Sequence, residues 1–279
     1  MEEKIQKKKK RKKKQEQFQL LLFLLLGLAI IAVLVLLIGA KLFPKDDYYR
    51  VRERASRVAG SSVEYDGKQY DAVGWIQVQG TNIDFPVIFK EGEFSYPAQV
   101  DRYAWLSNLS TDFQRHIEIS GHNIFNLSNH PELESEIFTR FEELMSFSYY
   151  DFAKENKYIQ LTLGDKEYVY KIFAVGFVPT AETILFPNSA EYSKDDVADY
   201  LEKFKKYNLY HYDIDVNKND SIISLVTCTR FYDLDEQHEF RVLGRLVREG
   251  EKLDNYSVKK DSKYQAVEEI LKGDDEDEI

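Results

Sequence analysis

Twenty-one consecutive residues without a charge, Leu20–Ala40, constrain this chain more than any other feature it has. Nearly all are Leu, Ile, Val, Ala or Phe. A helix needs about 20 such residues to cross the hydrocarbon core of a bilayer, so the length fits a membrane span. A cleaved export signal has an apolar stretch of only about 7–15 residues followed by a small-x-small site. Here the stretch is longer, and Ile38-Gly39-Ala40-Lys41 is a poor cleavage site, so the expectation is an uncleaved anchor. A buried core helix is excluded because no polar face interrupts the run. Residues 1–17 carry nine Lys or Arg against three Glu, a charge of +6. That excess sets the N-terminus in the cytoplasm and the bulk of the chain outside, with membrane lipid as the partner of the basic run Lys7–Lys14.

The whole chain has a net charge of −10, so the portion after residue 17 carries −16. An acidic outer domain argues against binding nucleic acid. The single cysteine, Cys228, excludes an internal disulfide, so this domain is not held together by disulfides. One Cys and five scattered histidines have no metal-ligand spacing, so neither a metal nor another cofactor is expected. A lone thiol outside the membrane is a liability unless it is used.

Beyond the charged stretch 41–68, in which Tyr48–Arg57 reads as a short juxtamembrane helix, the pattern turns to strands. Gly74–Val78 and Ile83–Ile88 alternate around Gly80-Thr81-Asn82 as a hairpin, with Pro86 marking an edge or bulge. Glu91–Ser110 is aromatic and irregular, and His116–Ser120 reads as a strand ending at Gly121-His122-Asn123. Pro131–Met145 has helical spacing. Tyr158–Leu163 and Glu167–Val178 form a second hairpin around Gly164-Asp165. Ser193–Tyr207 is a helix with Ser193 as N-cap, two Asp in its first turn and Lys in its last. Ile222–Thr227 and Phe240–Val247 complete the strands. Leu253–Leu271 is weakly helical, and Asp274–Glu278 is an acidic, disordered tail. Seven or eight short strands with few helices predict one closed or sandwich-like β domain.

Chemistry concentrates at Ser221–Arg245. Cys228 ends an apolar β-branched run, and Arg241 opens the next strand, so the fold-back sets a cation beside a thiol. Of the histidines, His122 sits at a strand-to-loop exit where a side chain faces a cleft, and His238, in the loop after Cys228, is its rival. An adjacent thiol and imidazole supply thiolate and imidazolium for nucleophilic attack and leaving-group protonation. Arg241 stays protonated and is suited to hold an oxyanion or a substrate carbonyl, with Arg230 and Arg245 as competitors.

Ser224-Leu225-Val226-Thr227-Cys228 is similar to the T-L-x-T-C signature of sortases, with Ser in place of the first Thr. Ile119–Asn123 resembles their histidine segment and Phe240–Leu246 their arginine strand. Val73–Ile76, Gly80–Val87 and the long helix before the cysteine strand resemble the class B branch. The resemblance covers about Asp71–Val247. It implies an eight-stranded, closed β-barrel behind an N-terminal transmembrane helix. It also implies a cysteine transpeptidase with Cys228 as nucleophile, His122 as acid/base and Arg241 as oxyanion or substrate clamp. Thr227 and Ser224 are expected to contact substrate.

On this reading the chain divides into a basic cytoplasmic tail (1–17), a transmembrane anchor (18–43), a stalk and helical lead-in (44–70), a catalytic domain (71–248) and a charged, acidic tail (249–279). The implied reaction cleaves a C-terminal sorting signal of an exported protein and joins the product to an amine of the peptidoglycan precursor. The alternatives are a pilin-polymerising sortase, with a pilin amine as acceptor, or a non-catalytic surface assembly module. Cys228-Thr229-Arg230 echoes the C-x-R of L,D-transpeptidases, but Thr227 stands where they require Gly.

Overall fold

The computed structural model describes residues 62–65, 68–89, 104–106, 115–123, 140–186, 192–229, 231, 238–253 and 256–273. The expected anchor and the juxtamembrane helix at Tyr48–Arg57 lie outside these residues. Among the described residues, no helix is long and apolar enough to cross a membrane.

The alternating segments become strands in the expected order. β1 (Ser62–Tyr65) and β2 (Lys68–Val78) form a hairpin, and β2 turns through Gly80, at φ 80°, into β3 (Asp84–Phe89). β4 (Ala104–Leu106) lies parallel to β3 and antiparallel to β5 (His116–Ser120). β6 (Tyr158–Leu163) and β7 (Lys166–Pro179) are the second hairpin. β8 (Tyr210–Tyr212) precedes β9 (Ile222–Thr229) and β10 (His238–Leu246). The main sheet runs β1-β2-β3-β4-β5-β9-β10-β7-β6, and β2 also pairs with β6. That last pairing returns the sheet on itself through eight strands, a nearly closed barrel with β1 appended.

Strand alternation sends one set of side chains inward and the other outward. Ile117, Ile119, Ile223, Leu225, Phe240 and Val242 all join the larger core, which fills the barrel. The opposite faces of β7, β9 and β10 present Ala174, Ile222 and Leu243 to a second core. That core is covered by α2 (Lys194–Phe204), whose Val197, Tyr200 and Phe204 are buried. Burying each such side chain stabilises the fold by roughly 1.5–3 kcal/mol. Ser193 caps α2 as expected: its hydroxyl accepts from the Asp196 N–H (3.2 Å), and the Asp196 carboxylate accepts from the Ser193 N–H (2.7 Å).

Three expectations change. The part of Pro131–Met145 within the described residues is a 3-10 helix, Arg140–Ser148, followed by the short α1 (Tyr150–Glu155). The stalk contributes β1 and the start of β2 to the sheet. Beyond residue 248 the chain is not simply a tail. β11 (Val258–Lys260) pairs with β8, and α3 (Tyr264–Gly273) sends Tyr264, Val267 and Leu271 into the larger core. Those positions are three and four residues apart, one face of a helix, so this charged segment still carries a sufficient apolar stripe.

Candidate active site

Cys228 is the seventh residue of β9 and is exposed, whereas the other residues of that strand are buried. Two neighbouring strands set what surrounds it. On one side β5 runs parallel, with Glu118 level with Ser224 and Ser120 level with Val226. The pairing extends past the strand end through a hydrogen bond from the Gly121 N–H to the Val226 carbonyl (3.1 Å). His122, half-buried, is the next residue, so the same register carries it to the end of β9 where Cys228 lies. Gly121 is required at this point, because a Cβ there would overlap the ring of Phe141 from the 3-10 helix.

Thr227 and Ser224, expected to contact substrate, have their hydroxyls engaged within the protein. Both are fully buried. Thr227 alternates to the face opposite Cys228, and its hydroxyl donates to the Gly121 carbonyl (2.9 Å). It thereby ties the histidine turn to the cysteine strand. Ser224 shares the outward face with Cys228 but lies beneath α2. Its hydroxyl is 2.9 Å from His116 Nε2 and 2.8 Å from the Tyr200 hydroxyl.

On the other side β10 runs antiparallel, and here the sequence expectation shifts by two residues. The residue level with Cys228 is Glu239; Arg241 is level with Val226. All four side chains point to the same face. Arg241 is 2% exposed. Its Nε and Nη2 donate to Glu239 Oε2 at 2.9 and 2.6 Å, and its Nη1 donates to Glu118 Oε2 (3.2 Å) and to the Tyr200 hydroxyl (3.0 Å). The guanidinium also lies over the Phe186 ring, 5.2 Å from its centre. Arg241 is therefore built into a buried network, and Glu239 is the charged residue of β10 beside the thiol. An oxyanion role would require the guanidinium to leave these partners.

The network has definite electrostatics. Burial would lower the Arg241 pKa, yet Tyr200, Glu118 and Glu239 hold it above its ordinary value. Burial pushes the Glu118 carboxyl up, only partly offset by Arg241. His116 is driven down to about 3 by burial and then by the Arg241 charge, so it is neutral in the folded protein. The competing arginines and the other histidines fall elsewhere. Arg245 pairs with Glu251 towards the far end of β10, His211 is exposed on β8, and His238 is buried at the start of β10, level with Thr229. Arg230 and His130 lie outside the described residues. No group of three or more His, Cys, Asp or Glu suited to a metal occurs among the described residues.

No protein-family profile matches the chain. Sortase B of Staphylococcus aureus is 23% identical over 168 residues, covering 58% of this chain and 65% of that protein. Sortase B of Listeria monocytogenes is 25% identical over 189 residues, covering 64% and 69%. The solved structure of Clostridium perfringens sortase B superposes with a TM-score of 0.53 at 26% identity, covering 64% of this chain and 94% of that one. In sequence and in fold the chain is similar to class B sortases. A Staphylococcus aureus sortase B–substrate complex has the same fold, with a TM-score of 0.51 at 19% identity. Within this sortase-like barrel Cys228 lies near the end of β9 and His122 just past the end of the neighbouring β5. Glu239, Glu118, Tyr200 and His116 are the site residues that sequence reasoning did not single out.

Proposed function

We propose that the chain is a membrane-anchored cysteine transpeptidase that acts on exported proteins outside the cell. The observation that carries this is the exposed thiol of Cys228 at the strand end to which the Gly121–Thr227 contacts tie His122. Cys228 Sγ attacks the carbonyl carbon of a scissile amide in a C-terminal sorting signal, of the N-P-x-T-x kind by family analogy. His122 takes the thiol proton and passes it to the leaving amine, the C–N bond breaks, and a thioacyl-enzyme remains. An amine, most simply that of the peptidoglycan precursor, attacks the thioester, and sulfur leaves as the new amide forms. The apolar run Leu20–Ala40 and the basic residues before it support an uncleaved anchor with the catalytic domain on the outer face. Arg241 supports the floor of the site through Glu239 and Tyr200, and its oxyanion or substrate-clamp role requires it to exchange one of these partners for the substrate.

One observation favours a second reading, a non-catalytic sortase-like surface module: a carboxylate is level with the thiol, and a neighbouring anion disfavours the thiolate. Labelling the full-length chain with a peptidyl vinyl sulfone separates the two. The transpeptidase reading expects stoichiometric labelling at Cys228 whose rate falls about a hundredfold or more in His122→Ala, the range that general-base removal costs. Labelling no faster than that of a free thiol, and indifferent to His122, would establish the non-catalytic module.

A further inference from the structure

We propose that Glu239 is the acceptor-amine site, a carboxylate that holds the ammonium of the incoming nucleophile beside the thioacyl group. The inference rests on the reading of Cys228 as nucleophile and adds which residue selects the second substrate, and for what chemical property. Directly paired residues on antiparallel strands have Cβ atoms about 5 Å apart and share a face. Glu239 and Cys228 are such a pair.

The carboxylate is fixed and still accessible. Both bonds from Arg241 fall on Oε2, at 2.9 and 2.6 Å, and among the described residues no bond falls on Oε1. The side chain of Glu239 is 23% exposed, whereas that of Arg241 is 3% exposed. The guanidinium charge is thus spent behind the carboxylate, divided between Glu239 and Glu118, while solvent beside Cys228 meets the carboxylate. Such an arrangement repels an anionic acceptor and concentrates a cationic one at the thioester. Arg241 is the positioning residue for this group. Held by two donors on one oxygen, the carboxylate is oriented before any substrate arrives, which lowers the cost of binding.

The chemistry balances with groups already named. The thioester R–CO–S–Cys228 and R′–NH3+ give R–CO–NH–R′, the Cys228 thiol and one proton. The ammonium first loses a proton to the His122 imidazole, which returns it to solvent. The amine lone pair then forms the C–N bond as the C–S electron pair returns to sulfur, and the second N–H proton goes to the thiolate.

Because Cys228 is the only cysteine, the charge beside it is readable without any substrate. The full-length chain in detergent is labelled with the cationic trimethylammonium-ethyl and the anionic sulfonato-ethyl methanethiosulfonates, and the ratio of their rates is taken. We expect Glu239→Gln to lower the cationic-to-anionic ratio about fivefold, as loss of one nearby charge requires, and Glu239→Asp to retain most of it. A ratio unchanged in Glu239→Gln, or lost equally in Glu239→Asp, overturns the proposal.

A second arm reads the acceptor itself. Once a donor peptide acylates Cys228, the selectivity for triglycine over neutral hydroxylamine should fall by a similar factor in Glu239→Gln. Equal loss towards both nucleophiles overturns the acceptor role. If the wild type never acylates, the transpeptidase reading fails and the acceptor site with it, whatever the labelling ratio.

Discussion

His116 is buried beneath α2 with its Nε2 against Ser224, its ring 4.6 Å from that of Tyr192 and 5.1 Å from that of Tyr200. Its folded pKa of about 3 lies below the ordinary 6.5, so the unfolded chain binds a proton that the folded one refuses. The sign follows: His116 supports the fold fully above pH 6.5 and progressively less as the pH falls towards 3. We predict that His116→Gln removes on the order of 2 kcal/mol of the stability lost between pH 7 and pH 5, measured by denaturant unfolding at each pH. An unchanged pH dependence would mean that His116 is not held neutral. At this scale the sequence revealed Cys228, because a lone thiol stands out, and His122, because it follows a strand and a glycine. It did not reveal Glu239. Glu239 and Arg241 are two positions apart, so alternation assigns them to the same face, and only the strand register decides which one meets the thiol.

Between elements, Arg241 links β10 to β5 through Glu118 and to α2 through Tyr200. Removing one member of a buried ion-pair network strands the others, at a cost of about 3–5 kcal/mol. Arg241→Ala is therefore predicted to lower unfolding stability by about that amount, read by urea titration. Loss of peptide joining with stability intact would instead identify a direct contact with substrate. The helix α2 was legible because Ser193, Asp196 and the stripe of Val197, Tyr200 and Phe204 agree on one start and one face. The 3-10 helix was not. Residues 141–148 are all buried, and spacing alone cannot distinguish a tight 3-10 turn from an α-helix. β8 and β11 are three residues each, too short for alternation to register.

For the molecule as a whole, the ordered domain extends beyond the region of recognisable motifs. Tyr264, Val267 and Leu271 of α3 fill the larger core together with strand residues from the barrel. Deleting 249–279 from the full-length chain is predicted to destabilise the domain by several kcal/mol, at about 1.5–3 kcal/mol for each exposed apolar side chain. Deleting only 274–279 should leave the melting temperature unchanged, and thermal unfolding of both truncations measures this. Composition hid the segment's role, because its charges read as a tail while three apolar residues on one helical face were enough to fold it back. The central claim concerns one bond at the end of β9, and it has a direct measurement. The full-length chain is incubated with a library of exported-protein C-terminal peptides, quenched in acid and weighed by intact mass spectrometry. The account predicts a thioacyl adduct on Cys228, absent in Cys228→Ser and converted by triglycine to a ligated peptide. Ligation that persists in Cys228→Ser, or a wild type that stays unmodified across the library, would contradict it.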